Sequence, residues 1–287
     1  MDFHIEELAK GDFPRALFEI PQPPKRLNYR GVLPDSKMKL LSVVGSRKYT
    51  NYGKQVVDHL ISGLRGHNIG IVSGLALGID SLAHQTAIDN GLYTLAIPGG
   101  GLSDGVIYPR AHLRLAHKIL EEGGGLLSEY DPDFKATTWS FPERNRLVAG
   151  ISQATLIIEA GEKSGSLITA RLAVDYNREL LVVPGSIFSD NSKGTHQFMK
   201  LGARPVTEAA DILDTLGIEI KDGRAPSFTP LLSLEEQTII NLLSEPQERD
   251  LLIRRSELPT ESVAIILMRM EMNGLIKEDG GMYRKLG

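Results

Sequence analysis

The stretch "LLSVVGSRKYTNYGKQVVDHLISGLRGHNIGIVSG", residues 40–74, decides the fold. An apolar run at 40–45 ends in Gly-Ser-Arg, an amphipathic segment follows over about 52–66, and a second apolar run occupies 69–74. Runs this uniformly apolar fit strands covered on both faces, and the helix-length segment between them reads as a right-handed crossover between parallel neighbours. The alternation continues to about residue 216, with strand candidates at 93–99, 125–130, 154–160, 180–185 and 203–207. Helix candidates fall between them, at about 78–90, 110–122, 143–151, 164–178, 193–201 and 208–216. This pattern predicts an α/β protein with a doubly wound, mainly parallel sheet of at least six strands over 40–219.

Outside that domain the pattern changes. Residues 1–39, with "GDFPRALFEIPQPPKRLNYRGVLP" at 11–34, carry prolines in short succession and few periodic apolar positions, so they read as an irregular strap. "IKDGRAPSFTP", 220–230, has the Gly and Pro content of a linker. The remainder, 231–287, reads as three helices and a hairpin: Ser233 with Glu236 three residues on forms a capping box, Thr260 caps the third helix, Gly274 ends it, and "EDGG" makes a tight turn. That combination predicts a small winged helix. Its third helix offers one cation, Arg269, against Glu261 and Glu271, and is a poor reader of base edges. Val263, Ile266, Leu267 and Met270 form an apolar stripe that reads as core. Arg254, Arg255, Lys277, Arg284 and Lys285 are left for phosphate or a protein partner, and a docking or regulatory role is expected.

The 287 residues are 41% hydrophobic, enough for a sizeable core, yet the longest apolar runs fall far short of the roughly 20 residues of a membrane helix. The start "MDFHIEELAK" lacks the plan of a signal peptide, so a cytoplasmic location and no membrane association are expected. The chain contains no cysteine, which excludes disulfides, thiolate zinc sites and cysteine nucleophiles. A net charge of −4 argues against a surface coated in basic charge for duplex DNA, but leaves room for a local positive groove.

Doubly wound sheets bind ligands beyond the carboxyl ends of their strands. The exits here are "VGSRKYTNYG", "SGLALGID", "PGGGLSDGVIYP", "SEYDPDF", "EAGEKSGSLITA" and "PGSIFSDNSKGT", rich in the Gly, Ser and Thr that let backbone N–H groups approach an anion. Each has a plainer reading: "GSLITA" can be a small-residue turn in which Ser164 or Ser166 caps a helix, and Asp80 can be structural. No Walker A sequence, complete G-x-G-x-x-G or H-x-x-x-H pair occurs, so no metal and no cofactor are expected. The seven histidines are scattered; His84 and His112 sit on helix candidates, where packing and capping roles are the commoner ones. Arg47, Lys135, Arg144, Arg146, Lys163 and Lys193 converge on one edge with Phe141 if the sheet is ordered as inferred. Arginine forks grip phosphate and an aromatic ring stacks on an unpaired base, a pairing that favours single-stranded over duplex nucleic acid. Arg144 and Arg146 keep two readings: both border an anion pocket, or one braces a carboxylate such as Glu159 from inside the domain.

In this order, "VVGSRKYTNYG", "SGLALGIDSLAH", "AIPGGGLSDGVIYP", "LLSEY", "FPERNRLVAGIS", "LIIEAGEKSGSLITARLA" and "VVPG" with "SKGTHQFMKLGA" resemble the DNA-processing protein A family, DprA or Smf. The resemblance covers about 40–205 well and the winged helix more loosely. It implies an extended Rossmann-like domain that binds single-stranded DNA, forms a homodimer and helps load the RecA recombinase in transformation or repair, without being an enzyme. The implied DNA pocket comprises Gly45, Ser46 and Arg47, then Lys135, Phe141, Arg144, Asn145 and Arg146, and further Ser164, Gly165 and Ser166, beside Lys163. Three departures stand out. The helical domain of the sterile-alpha-motif type with which many members begin is expected to be missing, "PGGGLSDG" is richer in glycine than the usual turn, and His196 replaces a more frequent Asn. A rival expectation is a nucleotide-active enzyme of the lysine-decarboxylase-like phosphoribohydrolase type, but "PGGGLSDGV" lacks the Thr and Glu of that pattern.

Overall fold

A computed structural model describes residues 3–218 and 233–285, apart from Ser244, Glu257, Gly274 and Gly280. The chain divides into two compact units, Met1–Ser227 and Phe228–Gly287. The expected linker, 220–230, lies outside the described residues.

In the first unit a nine-stranded sheet is built from β1 (Ile5–Glu7), β2 (Asn28–Gly31), β3 (Lys39–Val44), β4 (Ile69–Ser73), β5 (Tyr93–Ala96), β6 (Gly125–Ser128), β7 (Ala154–Ile157), β8 (Glu179–Val182) and β9 (Arg204–Pro205). Its helices are α1 (Asn51–Ser62), α2 (Ile79–Asp89), α3 (Leu113–Glu121), α4 (Ser140–Ile151), α5 (Ser166–Asp175), α6 (Lys193–Lys200) and α7 (Ala209–Thr215). The spatial order is β1-β2-β6-β5-β4-β3-β7-β8-β9, with β3 to β9 all parallel. The chain winds outward from β3 to β6, crosses back to place β7 on the other side of β3, and continues to β9. The exits of β3 and β7 therefore diverge and leave a crevice at the switch point.

Residue alternation along β3 explains the two-layered cover. Leu40 and Val44 pack in the core with Leu147, Val148 and Ile151 of α4 and Leu167 of α5. Leu41 and Val43 join the opposite core, with Val57, Leu60 and Ile61 of α1 and Ile212 and Leu213 of α7. Burial on both faces is what makes the strand read as a largely apolar run. Ser42, on the α4 side, is satisfied by donating to Val148 O at 2.6 Å.

The N-terminal segment is more ordered than the irregular strap expected. β2 pairs antiparallel with β6, Asn28 opposite Ser128, and β1 pairs with β2, so an otherwise open sheet edge is covered. Between them Phe13, Leu17 and Ile20 enter the α4 core. Strands of three and four residues separated by prolines carry too little periodicity to be read from sequence.

The second unit comprises α8 (Leu234–Leu242), β10 (Gln247–Glu248), α9 (Arg249–Ser256), α10 (Thr260–Met272), β11 (Ile276–Asp279) and β12 (Met282–Lys285), with β12 central in a three-stranded sheet. It is a winged helix. The capping box of Ser233 and Glu236 forms as expected, and Val263, Ile266, Leu267 and Met270 are core. Thr260 is the first helical residue rather than the cap; Pro259 precedes the helix with no side-chain cap. The expected helix end at Gly274 lies outside the described residues, and the helix is closed by Asn273. Among the described residues no helix is long and apolar enough to cross a membrane.

Candidate nucleic-acid interface

The crevice at the β3–β7 switch point has a volume of about 820 Å³. Its first wall is the Gly-Ser-Arg turn after β3. A Cβ on Gly45 would lie 2.7 Å from Ile79 Cγ1 and 3.1 Å from Glu159 O, so only glycine passes between α2 and the β7 exit. Ser46 N donates to Glu159 O at 2.7 Å, and Ile79 N donates to Ser46 O at 3.2 Å. With its backbone tied to both neighbours, the turn holds Arg47 and Lys48 exposed on the crevice rim. The next helix is set by Glu159, which accepts from Thr50 N at 2.9 Å and Thr50 Oγ1 at 2.6 Å. Glu159 thus braces the α1 cap, and no arginine is needed for it.

The second wall is the start of α4 with the loop before it. Phe141 lies against Gly99 so closely that a Cβ there would be 2.5 Å from the ring. Gly100 is likewise pressed against Phe134 O, and Gly101 N donates to Phe134 O at 2.8 Å. The glycine richness of "PGGG" is therefore the condition for the loop over 131–141 to pack directly on the β5 exit. Arg47 Cζ stands 5.7 Å from the Phe141 ring centre, within cation–π range. Tyr108, 56% exposed, tilts against Phe141 with centroids 5.6 Å apart. Tyr108 was not singled out by sequence; its signal was an aromatic closing a glycine-rich strand exit. Sequence also missed Lys48, Thr138 and Asn191, all of which line the crevice.

Two buried residues of opposite charge, Asp80 and Arg144, also line the crevice. Asp80 accepts from Gly74 N at 3.1 Å and Ala76 N at 3.3 Å, as its structural reading expected. Burial raises its pKa, and the neighbouring Arg144 opposes that rise. Arg144 donates to Gly74 O at 2.6 Å and to Ile97 O. Burial lowers its pKa to about 10, which leaves it cationic at neutral pH. Its charge is felt in the crevice, while Nη1 is taken by the two strand exits and Nε by Asn145 Oδ1 at 3.3 Å.

The third wall is the β7 exit. Lys163, Ser164, Gly165 and Ser166 all line the crevice at the start of α5, with Ser164 Oγ and Ser166 Oγ 2.6 Å apart. Asn145 lines it as well. Three expected residues are elsewhere. Arg146 is 8% exposed, bonds Glu129 on the far side of α4 and does not line the crevice. Two residues along a helix is about 200° of rotation, so Arg144 and Arg146 must part company. Lys135 is exposed on the loop before α4, outside the lining, because that loop turns toward the glycines after β5. Lys193 is exposed and pairs with Asp190 at 2.7 Å.

Three of the histidines are held by internal hydrogen bonds. His84 is buried with Nδ1 2.7 Å from Thr94 Oγ1, His112 Nδ1 donates to Leu75 O at 2.8 Å, and His196 Nε2 donates to Gly185 O at 3.1 Å. Among the described residues no group of three or more His, Cys, Asp or Glu is placed to hold a metal ion. In the winged helix, the cation of α10, Arg269, donates to Glu236 at 2.9 Å.

A Rossmann-like sheet with a basic, aromatic-lined crevice, carried in one chain with a winged helix, defines a DNA-processing class of protein. The family described as DNA recombination-mediator protein A matches residues 5–217, and the DprA winged helix domain matches 224–282. The chain belongs to the DNA recombination-mediator protein A family. It is 35% identical to protein Smf of Escherichia coli K12 over 97% of this chain and 74% of that one. It is 38% identical to the DNA processing protein DprA of Bacillus subtilis over 73% and 70%. The DprA structure from Streptococcus pneumoniae superposes with a TM-score of 0.69 at 37% identity, covering 76% of this chain and 75% of that one. DNA processing protein A from Helicobacter pylori, whose structure is described for its single-stranded DNA binding mode, gives 0.65 at 32% identity, covering 75% and 96%.

Proposed function

We propose that the crevice binds single-stranded DNA and that the protein is a non-enzymatic mediator that protects exposed or incoming strands and helps load RecA recombinase in transformation or repair. The observation that carries the reading is the Arg47–Phe141–Tyr108 platform, a cation and two rings opening on one basic crevice. An unpaired base can stack there while phosphates meet Arg47, Lys48 and Lys163, whereas a duplex presents no free base face. The single-stranded DNA binding described for the Helicobacter pylori relative supports the same assignment. In this reading the pocket comprises Gly45, Ser46, Arg47, Phe141, Arg144, Asn145, Lys163, Ser164, Gly165 and Ser166, enlarged by Lys48 and Tyr108. The protein acts in the cytoplasm as a homodimer through its Rossmann-like domain.

A nucleotide-hydrolysing enzyme has less support. Asp80 is the one carboxylate among the crevice-lining residues, and its Oδ2 already accepts from Gly74 and Ala76. The deciding experiment is a fluorescence-anisotropy titration of single-stranded and duplex DNA of equal length at two salt concentrations, with native protein and Arg47→Ala. Single-strand preference that weakens with salt and falls in the variant is expected. Equal affinity for both forms, unchanged in the variant, removes the reading. Release of free base from a nucleoside monophosphate would replace it with the enzyme.

A further inference from the structure

Beyond the crevice, the β8–α6 loop holds the most exposed aromatic side chain among the described residues. Phe188 is 92% exposed and its neighbour Ile187 is 75% exposed. The loop is not loose chain: Phe188 N donates to Ser186 Oγ at 3.2 Å, Ser189 N to Ser186 O at 3.0 Å, and Ser192 N to Ser189 O at 3.1 Å. It is also fastened to the crevice. Asn191 lines the crevice, its Nδ2 donates to Lys48 O at 3.1 Å, and its carbonyl accepts from Ala160 N at 2.7 Å. Because β8 is the parallel neighbour of β7, both loops leave the same edge of the sheet. The rigid tip therefore stands beside the β7 wall, on the side away from Phe141 and Tyr108.

We propose that Phe188, supported by Ile187, is a second base-stacking subsite for a strand lying in the crevice. The inference rests on the single-strand reading above. Its surroundings suit a nucleotide. Lys48 and Lys163 lie on the crevice rim and Lys193 opens α6 directly after the loop; the nearby acids are Glu162, exposed, and Asp190, which Lys193 neutralises. Apart from Ile187, the residues flanking the ring are small or hydroxylic: Gly185, Ser186 and Ser189. Two apolar side chains set among ammonium and hydroxyl groups match a flat base followed by phosphate. They do not make the contiguous patch of about 800 Å² per partner that a stable protein interface needs. A strand that stacks on Phe141 and continues past Lys163 meets the Phe188 ring next, so the subsite is reached only by an oligonucleotide longer than the crevice itself.

Strand length is accordingly the test. Affinity is measured for oligothymidylates of about four and about sixteen nucleotides, lengths that bracket the site sizes common for single-strand binders. Phe188→Ala is expected to weaken the long oligonucleotide roughly tenfold and leave the short one unchanged. Arg47→Ala is expected to weaken both. In a Phe188→Trp, Trp139→Phe protein, which carries a single indole, fluorescence is quenched by the long strand and not by the short one. Unchanged affinity of Phe188→Ala for the long strand overturns the subsite while an Arg47→Ala loss keeps the crevice. A change of oligomeric state in Phe188→Ala, with DNA affinity intact, assigns the tip to a second copy and overturns it too. Unchanged affinity in Arg47→Ala removes the crevice reading and the subsite with it.

Discussion

Arg47 and Phe141 come from elements almost a hundred residues apart, yet the guanidinium carbon lies 5.7 Å from the ring centre. One side chain carries charge and the other a stacking face, so their contributions to strand binding separate experimentally. Phe141→Ala should lose stacking, roughly 1–3 kcal/mol, with the salt dependence of binding unchanged. Arg47→Ala should reduce the slope of log affinity against log salt by about 0.7, the share of one phosphate contact on a single strand. Titrations at four salt concentrations distinguish the two; identical slopes for native protein and Arg47→Ala would deny Arg47 a phosphate.

Gly99 should behave as a remote member of the aromatic platform. A methyl group there would come within 2.5 Å of Phe141. Gly99→Ala is expected to weaken single-strand binding about fivefold or more by displacing the ring, with the salt slope intact, and to add nothing in a Phe141→Ala background. Full additivity of the two substitutions would show that Gly99 acts elsewhere.

Arg146 should be a stability residue. Its side chain and that of Glu129 are 9% and 14% exposed, and removal of one partner leaves a buried charge. Arg146→Ala is expected to cost about 3–5 kcal/mol in urea unfolding, while the protein still folded at low temperature binds DNA within about twofold of native. A tenfold loss of DNA affinity at unchanged stability would return Arg146 to the interface.

Stability should fall in mild acid through His84. Burial lowers its pKa to about 3, with His112 and Arg144 adding to the effect. Between that value and about 6.5 the unfolded chain binds a proton that the folded one does not. The contribution is therefore complete above about pH 6.5 and shrinks by about 1.4 kcal/mol for each pH unit below it. Unfolding free energies at pH 7 and pH 5 should diverge less in His84→Gln than in the native chain; parallel profiles would exclude His84 as the source.

Much of this was legible along the chain. The parallel strands announced themselves because burial on both faces demands largely apolar runs such as residues 40–44, and the capping box at Ser233 and Glu236 is a local pattern that forms locally. The Gly-Ser-Arg turn and the "SGS" turn lie at strand exits for the same reason, and they face one crevice because the winding reverses between β3 and β7. The amino-acid order alone therefore determined the fold class, the winged helix and which edge of the sheet could bind. Tertiary structure decided which side chains share that edge. Arg144 and Arg146, equivalent on paper, part because about 200° of helical rotation separates them, one toward Asp80 and the other toward Glu129. Tyr108, Lys48 and Asn191 enter the crevice from three different loops, and Lys135 leaves it because its loop packs on the glycines after β5. Periodicity reports whether a residue is buried, but the direction of a loop side chain follows from contacts between segments distant in sequence, and those exist only once the sheet has assembled.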